Sequence, residues 1–172
     1  MRSRPAMTTA LLPPDIEDLA RKVVEANSAA GRQVAVAESC TGGLVAAALT
    51  EIPGSSAMFD RGFVTYSNES KMETLGVPLE IIETFGAVSI ACAWAMAKGA
   101  LEKSKADVAV AISGVAGPGG GTDLKPVGTV VFARVVRGDE GEPEGELKLF
   151  EPTSRADIRR AATICALELL LP

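Results

Sequence analysis

The sequence predicts a three-layer α/β/α domain around a mixed, mostly parallel sheet. Three observations predict it. Short apolar runs of strand length alternate with segments of helical spacing along most of the chain. One run, Asp107-Val108-Ala109-Val110-Ala111-Ile112, is apolar almost without a break, as in a central strand covered on both faces. A hairpin comes late: Val127 to Val136 and Glu146 to Phe150 flank an acidic turn rich in Gly and Pro. Hairpin strands are antiparallel, so the sheet is mixed.

The elements follow in order. Asp15 reads as the N-cap of a first helix, with Ile16, Leu19, Ala20, Val23 and Val24 at helical spacing and Gly31 as its stop. Val34 to Ala37 is a short buried strand. A second helix starts at Thr41 or Gly42 and ends before Pro53-Gly54-Ser55. Gly62 to Tyr66 is the second strand. Ser67 caps a helix from Asn68 to Leu75, which Gly76 ends. Pro78 opens a short helix to Phe85, and Ser89 caps a longer one from Ile90 to Ser104. After the hairpin, Ser154 with Asp157 forms a capping box for a last helix reaching Leu170. Residues 1–14 read as a flexible leader and residues 15–172 as one domain.

Composition narrows the chemistry. Hydrophobic residues make up 47% and aromatics only 4%, so the core is built from Ala, Val, Leu and Ile. The net charge of -5 and the lack of a basic run argue against a nucleic-acid surface. No apolar stretch approaches a bilayer span, and the N-terminus is too weak for a signal peptide, so a cytoplasmic protein is expected. The three cysteines show no metal spacing and read as free thiols. There are 0 histidines, which excludes Ser-His-Asp and Cys-His catalysis and every His-ligated metal site. A side-chain nucleophile would therefore need Lys, Tyr, Asp or Glu as its base. No cofactor is implied. An aromatic-poor domain of this size is compatible with a homodimer.

Three loops follow strand ends, where open α/β sheets bind ligands. The first is Glu38-Ser39-Cys40-Thr41-Gly42-Gly43. It places a serine and a cysteine before two glycines, and the amides opening the next helix would face a ligand. The second offers Tyr66 and Lys71. A desolvated lysine there can take a proton from a serine, and a phenol can relay or donate one. An ordinary solvated lysine and a packed tyrosine fit the same residues. The third, Ser113 to Thr122, can cradle a phosphate through amides but is not a Walker A loop; a mobile turn would use the same residues. Arg155 and Arg159 lie i,i+4 on the last helix, where a solvated face is the simpler reading.

Taken together, three stretches resemble the C-terminal domain of the competence/damage-inducible protein CinA family. They are Glu38-Ser39-Cys40-Thr41-Gly42-Gly43-Leu44, then Val64-Thr65-Tyr66-Ser67-Asn68 with Lys71, then Ala111 to Thr122 with Lys125-Pro126-Val127-Gly128-Thr129. The resemblance implies a nicotinamide-nucleotide amidohydrolase that converts nicotinamide mononucleotide and water to nicotinate mononucleotide and ammonia, in pyridine nucleotide salvage. By matching position it implies Ser39 as nucleophile, Lys71 as base and Tyr66 as assisting phenol. It further implies a substrate site lined by Thr41, Gly42, Gly43, Ser113, Gly117, Gly119, Gly120 and Thr122, with no metal. The chain departs from the family pattern at Ile90, where an acidic residue is usual, and before Arg155, where Gly-Asp-Arg is usual. A non-catalytic nucleotide-binding module and an amidohydrolase for another small amide remain alternatives.

Overall fold

Val34–Glu38 is buried at every position, which a strand achieves only with both faces covered. In the computed structural model, which describes residues 9–141 and 144–172, that strand is β1, and the sheet order is β2-β1-β3-β4-β5. The chain runs α1 (Pro14–Ala29), β1, α2 (Leu44–Glu51), β2 (Phe59–Val64), α3 (Asn68–Leu75), α4 (Leu79–Phe85), α5 (Ile90–Glu102), β3 (Val108–Gly114), β4 (Thr129–Val136), β5 (Glu144–Leu149) and α6 (Arg155–Leu169). β2, β1 and β3 are parallel, β4 runs antiparallel to β3, and β5 runs antiparallel to β4, so the sheet is mixed as expected.

The two faces of the sheet differ in side-chain size. Val34, Val36, Val110, Ile112 and Phe132 pack against α1, α2 and α6. Ala35, Ala37, Ala109, Ala111 and Ala133 pave the other face, against α5. The alternation follows from the two-residue period of a strand. Small residues on strand and helix let α5 lie close, and α3 in turn packs on α5. At that second contact stands Gly99, where a Cβ would overlap the Leu75 carbonyl. Gly99→Ala gains up to about 1 kcal/mol of helix propensity. The overlap is with backbone and cannot relax cheaply, so a net loss of roughly 2 kcal/mol is expected. That is a fall of roughly 4–8 °C in Tm for a domain of this size, checked by calorimetry.

Several boundaries move from where the sequence put them. Pro13, not Asp15, is the N-cap of α1, with Pro14 at the first helical position; the Asp15 carboxylate accepts from Ile16 N–H inside the first turn. α2 starts at Leu44 rather than Thr41 or Gly42, because Gly42 and Gly43 take φ of 57° and 101° and form a left-handed turn first. β2 ends at Val64, where its register with Glu38 ends, so Tyr66 lies beyond the strand. β4 starts at Thr129, after Gly128 at φ 99°. The caps at Ser67, Ser89 and Ser154 form, each accepting from the amide three residues on, but the return bond of the Ser154–Asp157 capping box is replaced by one from Thr153 Oγ1 to the Asp157 carboxylate. Residues 1–8 of the expected leader and residues 142–143 of the hairpin turn lie outside the described residues. Among the described residues no helix is long and apolar enough to cross a membrane.

Candidate active site

Parallel strands place the ends of β1, β2 and β3 at one edge of the domain, so the first two loops meet there. Ser39 is the first residue after β1. Its N–H donates to Ile112 O at 2.9 Å, and its own carbonyl accepts from Gly42 N–H at 3.0 Å. The side chain faces Lys71, whose Nζ lies 3.0 Å from Ser39 Oγ. Lys71 sits on the first turns of α3 and is 1% exposed. Its Nζ also donates to the main-chain carbonyls of Thr65 at 2.8 Å and Tyr66 at 3.0 Å. No carboxylate ion-pairs with it among the described residues. Burial lowers its pKa from the ordinary lysine value of 10.5, since an ammonium loses hydration there.

These three contacts have a chemical meaning. A neutral amine has two N–H bonds and one lone pair. The two carbonyls can only accept, so they take both N–H bonds. In that neutral form the lone pair is left for Ser39 Oγ to donate to, whereas the ammonium donates to all three oxygens. The arrangement is a buried serine–lysine contact whose neutral form would present a serine hydroxyl to an amine.

Glu38 is the residue that sequence reading passed over. It is fully buried, and its carboxylate accepts from Thr41 Oγ1 at 2.7 Å, Val45 N–H at 2.9 Å and Ala46 N–H at 3.1 Å. It therefore occupies the N-terminus of α2. This corrects the expectation that the amides opening that helix face a ligand, since Glu38 takes them from inside. It also turns the Thr41 side chain inward. Gly42 N–H is spent on Ser39 O and Leu44 N–H on Thr41 O. The amides of Cys40, Thr41 and Gly43 carry no partner among the described residues.

Tyr66 contributes its main-chain carbonyl to Lys71, while its phenol is 62% exposed and accepts from Arg155 at 3.1 Å. A relay from Ser39 through the phenol to Lys71 is thus not the contact found; serine and lysine touch directly. Arg155 also donates to Gly117 O at 2.6 Å, and Arg159 donates to Cys40 O at 3.0 Å and Thr41 O at 3.3 Å. The pair read as a solvated face instead ties all three loops to α6. Ser113 Oγ donates to Ala87 O at 2.8 Å, so its proton is committed to the segment before α5. In the glycine-rich loop, Thr122 bonds Lys125 through both its N–H and its hydroxyl, and the amides of Gly119, Gly120 and Gly121 have no partner among the described residues. Lys125 Nζ donates to Phe85 O.

Cys40 is 5% exposed and burial pushes its thiol up to about 11. A thiol held protonated is a poor nucleophile. Alkylation at pH 8 is expected to leave Cys40 unmodified in the native protein and to modify it in denaturant, as mass spectrometry of the peptides would read. Among the described residues no group of three His, Cys, Asp or Glu is placed to hold a metal. A cavity of about 400 Å³ beside Trp94, Lys98 and Arg137 lies at the opposite end of β4 and does not reach Ser39.

Fold and site together define a three-layer α/β domain that carries a serine–lysine pair at the carboxyl ends of its parallel strands. Residues 16–172 match the family model described as the CinA C-terminal domain, and the chain belongs to that family. It is 48% identical over 156 residues to the nicotinamide-nucleotide amidohydrolase PncC of Escherichia coli K12, covering 91% of this chain and 93% of that protein. A CinA-like protein of Mycobacterium marinum is 51% identical over 155 residues, 90% of this chain but 35% of its own length. The chain thus spans about a third of the longer relatives. A crystal structure of a competence/damage-inducible protein from Agrobacterium tumefaciens superposes with a TM-score of 0.90 at 50% identity, covering 94% of this chain and 97% of that one.

Proposed function

We propose that the chain hydrolyses the carboxamide of a nicotinamide nucleotide, with nicotinamide mononucleotide as substrate and nicotinate mononucleotide and ammonia as products. The observation that carries this is the buried contact of Lys71 Nζ with Ser39 Oγ. The relative named for that activity, matched along nearly its whole length, supports the substrate.

Ser39 attacks the carboxamide carbon as neutral Lys71 takes its proton. The oxyanion is held by the free amides of Cys40, Thr41 or Gly43, each donor worth roughly 3 kcal/mol. The Lys71 ammonium then returns the proton to the departing nitrogen, which leaves as ammonia and not as amide ion. Water, deprotonated by Lys71, hydrolyses the Ser39 ester and regenerates both groups. Tyr66 and Arg155 stand at the rim, where Arg155 and the free amides of the glycine loop suit a phosphate. Ser113 and Thr122 hold the loop walls.

The test is ammonia release from nicotinamide mononucleotide, with the riboside and free nicotinamide beside it and chelator present. Turnover of the nucleotide well above the other two is the expected result. Binding without turnover would overturn the reading in favour of a non-catalytic nucleotide module. Turnover of another small amide alone would overturn the substrate and keep the chemistry.

A further inference from the structure

Trp94 stands between two hollows beside α5. The larger, of about 400 Å³, opens between α5 and the turn that joins β4 to β5, with Val135 and Val136 among its walls. The smaller, of about 140 Å³, lies toward the end of α3 and the start of α4, against Leu75, Pro78 and Ile81. Trp94, Lys98 and Glu102 line both. They are four residues apart in turn and so form one stripe along the helix.

The charges around this half-buried indole are not paired in the usual way. Lys98 and Glu102 have the spacing of a helical ion pair, yet no ion pair joins them. Lys98 Nζ lies instead over the indole, 5.2 Å from the ring centroid. Arg137 is pinned on the chain that leaves α5. Its Nε donates to Ala106 O at 2.9 Å, and its Nη2 donates to Leu101 O at 2.6 Å and Ser104 O at 3.0 Å. Its Nη1 has no partner among the described residues. Arg134 and Glu144, at 3.4 Å, neutralise each other. Lys98 and Arg137 are left as cations that no carboxylate neutralises among the described residues, and Glu102, Asp139 and Glu140 as carboxylates without a cation.

An aromatic face, two cations and nearby carboxylates recognise a flat ring, an anion and hydroxyl groups. A nucleoside phosphate carries all three. Its base would take the indole face, and Lys98, freed from the ring, would join Arg137 Nη1 on the phosphate. A carboxylate would accept from the ribose hydroxyls, as acidic side chains do in dinucleotide folds. A cationic base would stand beside Lys98 and Arg137, so an uncharged one fits, unlike the pyridinium of the amide substrate. The volume lies within the roughly 300–1,000 Å³ of small-molecule sites.

We propose that the cavity at Trp94 is a second site, which binds a nucleoside 5′-phosphate with an uncharged planar base. It shares no residue with the Ser39 centre and does not depend on amide hydrolysis.

The sequence has 1 tryptophan, so its emission reads this cavity directly. Adenosine 5′-monophosphate is expected to quench it saturably, with excitation set beyond the adenine band. Adenosine, which lacks the phosphate, is expected to bind at least about tenfold more weakly. Lys98→Gln keeps the stem but loses the charge. It is expected to weaken the nucleotide by about tenfold and leave adenosine and Tm unchanged. Arg155→Ala, at the rim of the Ser39 centre, is expected to leave the quenching as it is. No saturable quenching at millimolar nucleotide would overturn the proposal. So would equal binding of adenosine, or quenching that Arg155→Ala removes and Lys98→Gln does not.

Discussion

Ser39→Ala is expected to abolish ammonia release while leaving the fold in place. The hydroxyl contacts Lys71, whereas the backbone at this position keeps its bonds to Ile112 and Gly42. Little stability rides on the lost oxygen. Without a nucleophile only binding and the oxyanion amides remain, so kcat is expected to fall by roughly 10⁴-fold or more with KM nearly unchanged. Steady-state kinetics and a urea transition measured on the same preparation separate the two effects. A variant keeping a tenth of its kcat would mean that the attacking group is water, with Lys71 as its base and Ser39 as a bystander.

The second large effect is expected at Lys71. Lys71→Met keeps length and apolar stem but removes the base. Serine and lysine act as one unit, so the loss should match that of Ser39→Ala, and the double variant should be no worse than either. pH supplies an independent readout. Burial lowers the folded-state pKa of Lys71, so the neutral amine, and with it kcat/KM, rises with pH through that lowered value and then levels. The residual activity of the methionine variant should lack this limb. Stability follows the same sign. Between the lowered folded pKa and the ordinary 10.5, the unfolded chain binds more protons than the folded one. Wild-type stability therefore rises with pH across that window, and the penalty is present in full below it. Urea midpoints of wild type, corrected by those of Lys71→Met, should show the slope, and a flat difference would place the ammonium in a better hydrated site.

How much of this was legible depended on the range of each signal. The serine caps at positions 67, 89 and 154 could be read because a cap is a contact three residues long. Ser39 and Lys71 could be singled out because each sits a short step past a strand end, and the family resemblance implied their roles. The meeting of α6 with the loops could not. Arg155 reaches Tyr66 across 89 residues and Arg159 reaches Cys40 across 119, and on a helix both look like solvated cations. Glu38 was missed for another reason. A glutamate ending an apolar run reads as the strand's exit to water, and only the fold shows that α2 turns back over it. The alternation of Val and Ala in Val34-Ala35-Val36-Ala37 and again in Val108-Ala109-Val110-Ala111 was present to be read. It told which face of the sheet would take a close helix, but counting both residues as apolar erased the difference in size.

The way Lys71 is held has an evolutionary consequence. Its two N–H bonds end on peptide oxygens, and no point mutation deletes a peptide oxygen. The tuning of the base is thus inherited with the path of the main chain between β2 and α3. The groups at the rim, the Tyr66 phenol and the Arg155 guanidinium, are side chains that a point mutation can replace. On the proposed mechanism, a scaffold divided in this way can drift in what it grips without losing what it does to a carbonyl. Its promiscuity, or its retargeting in the laboratory, would be sought by varying positions 66 and 155 while the centre is left alone.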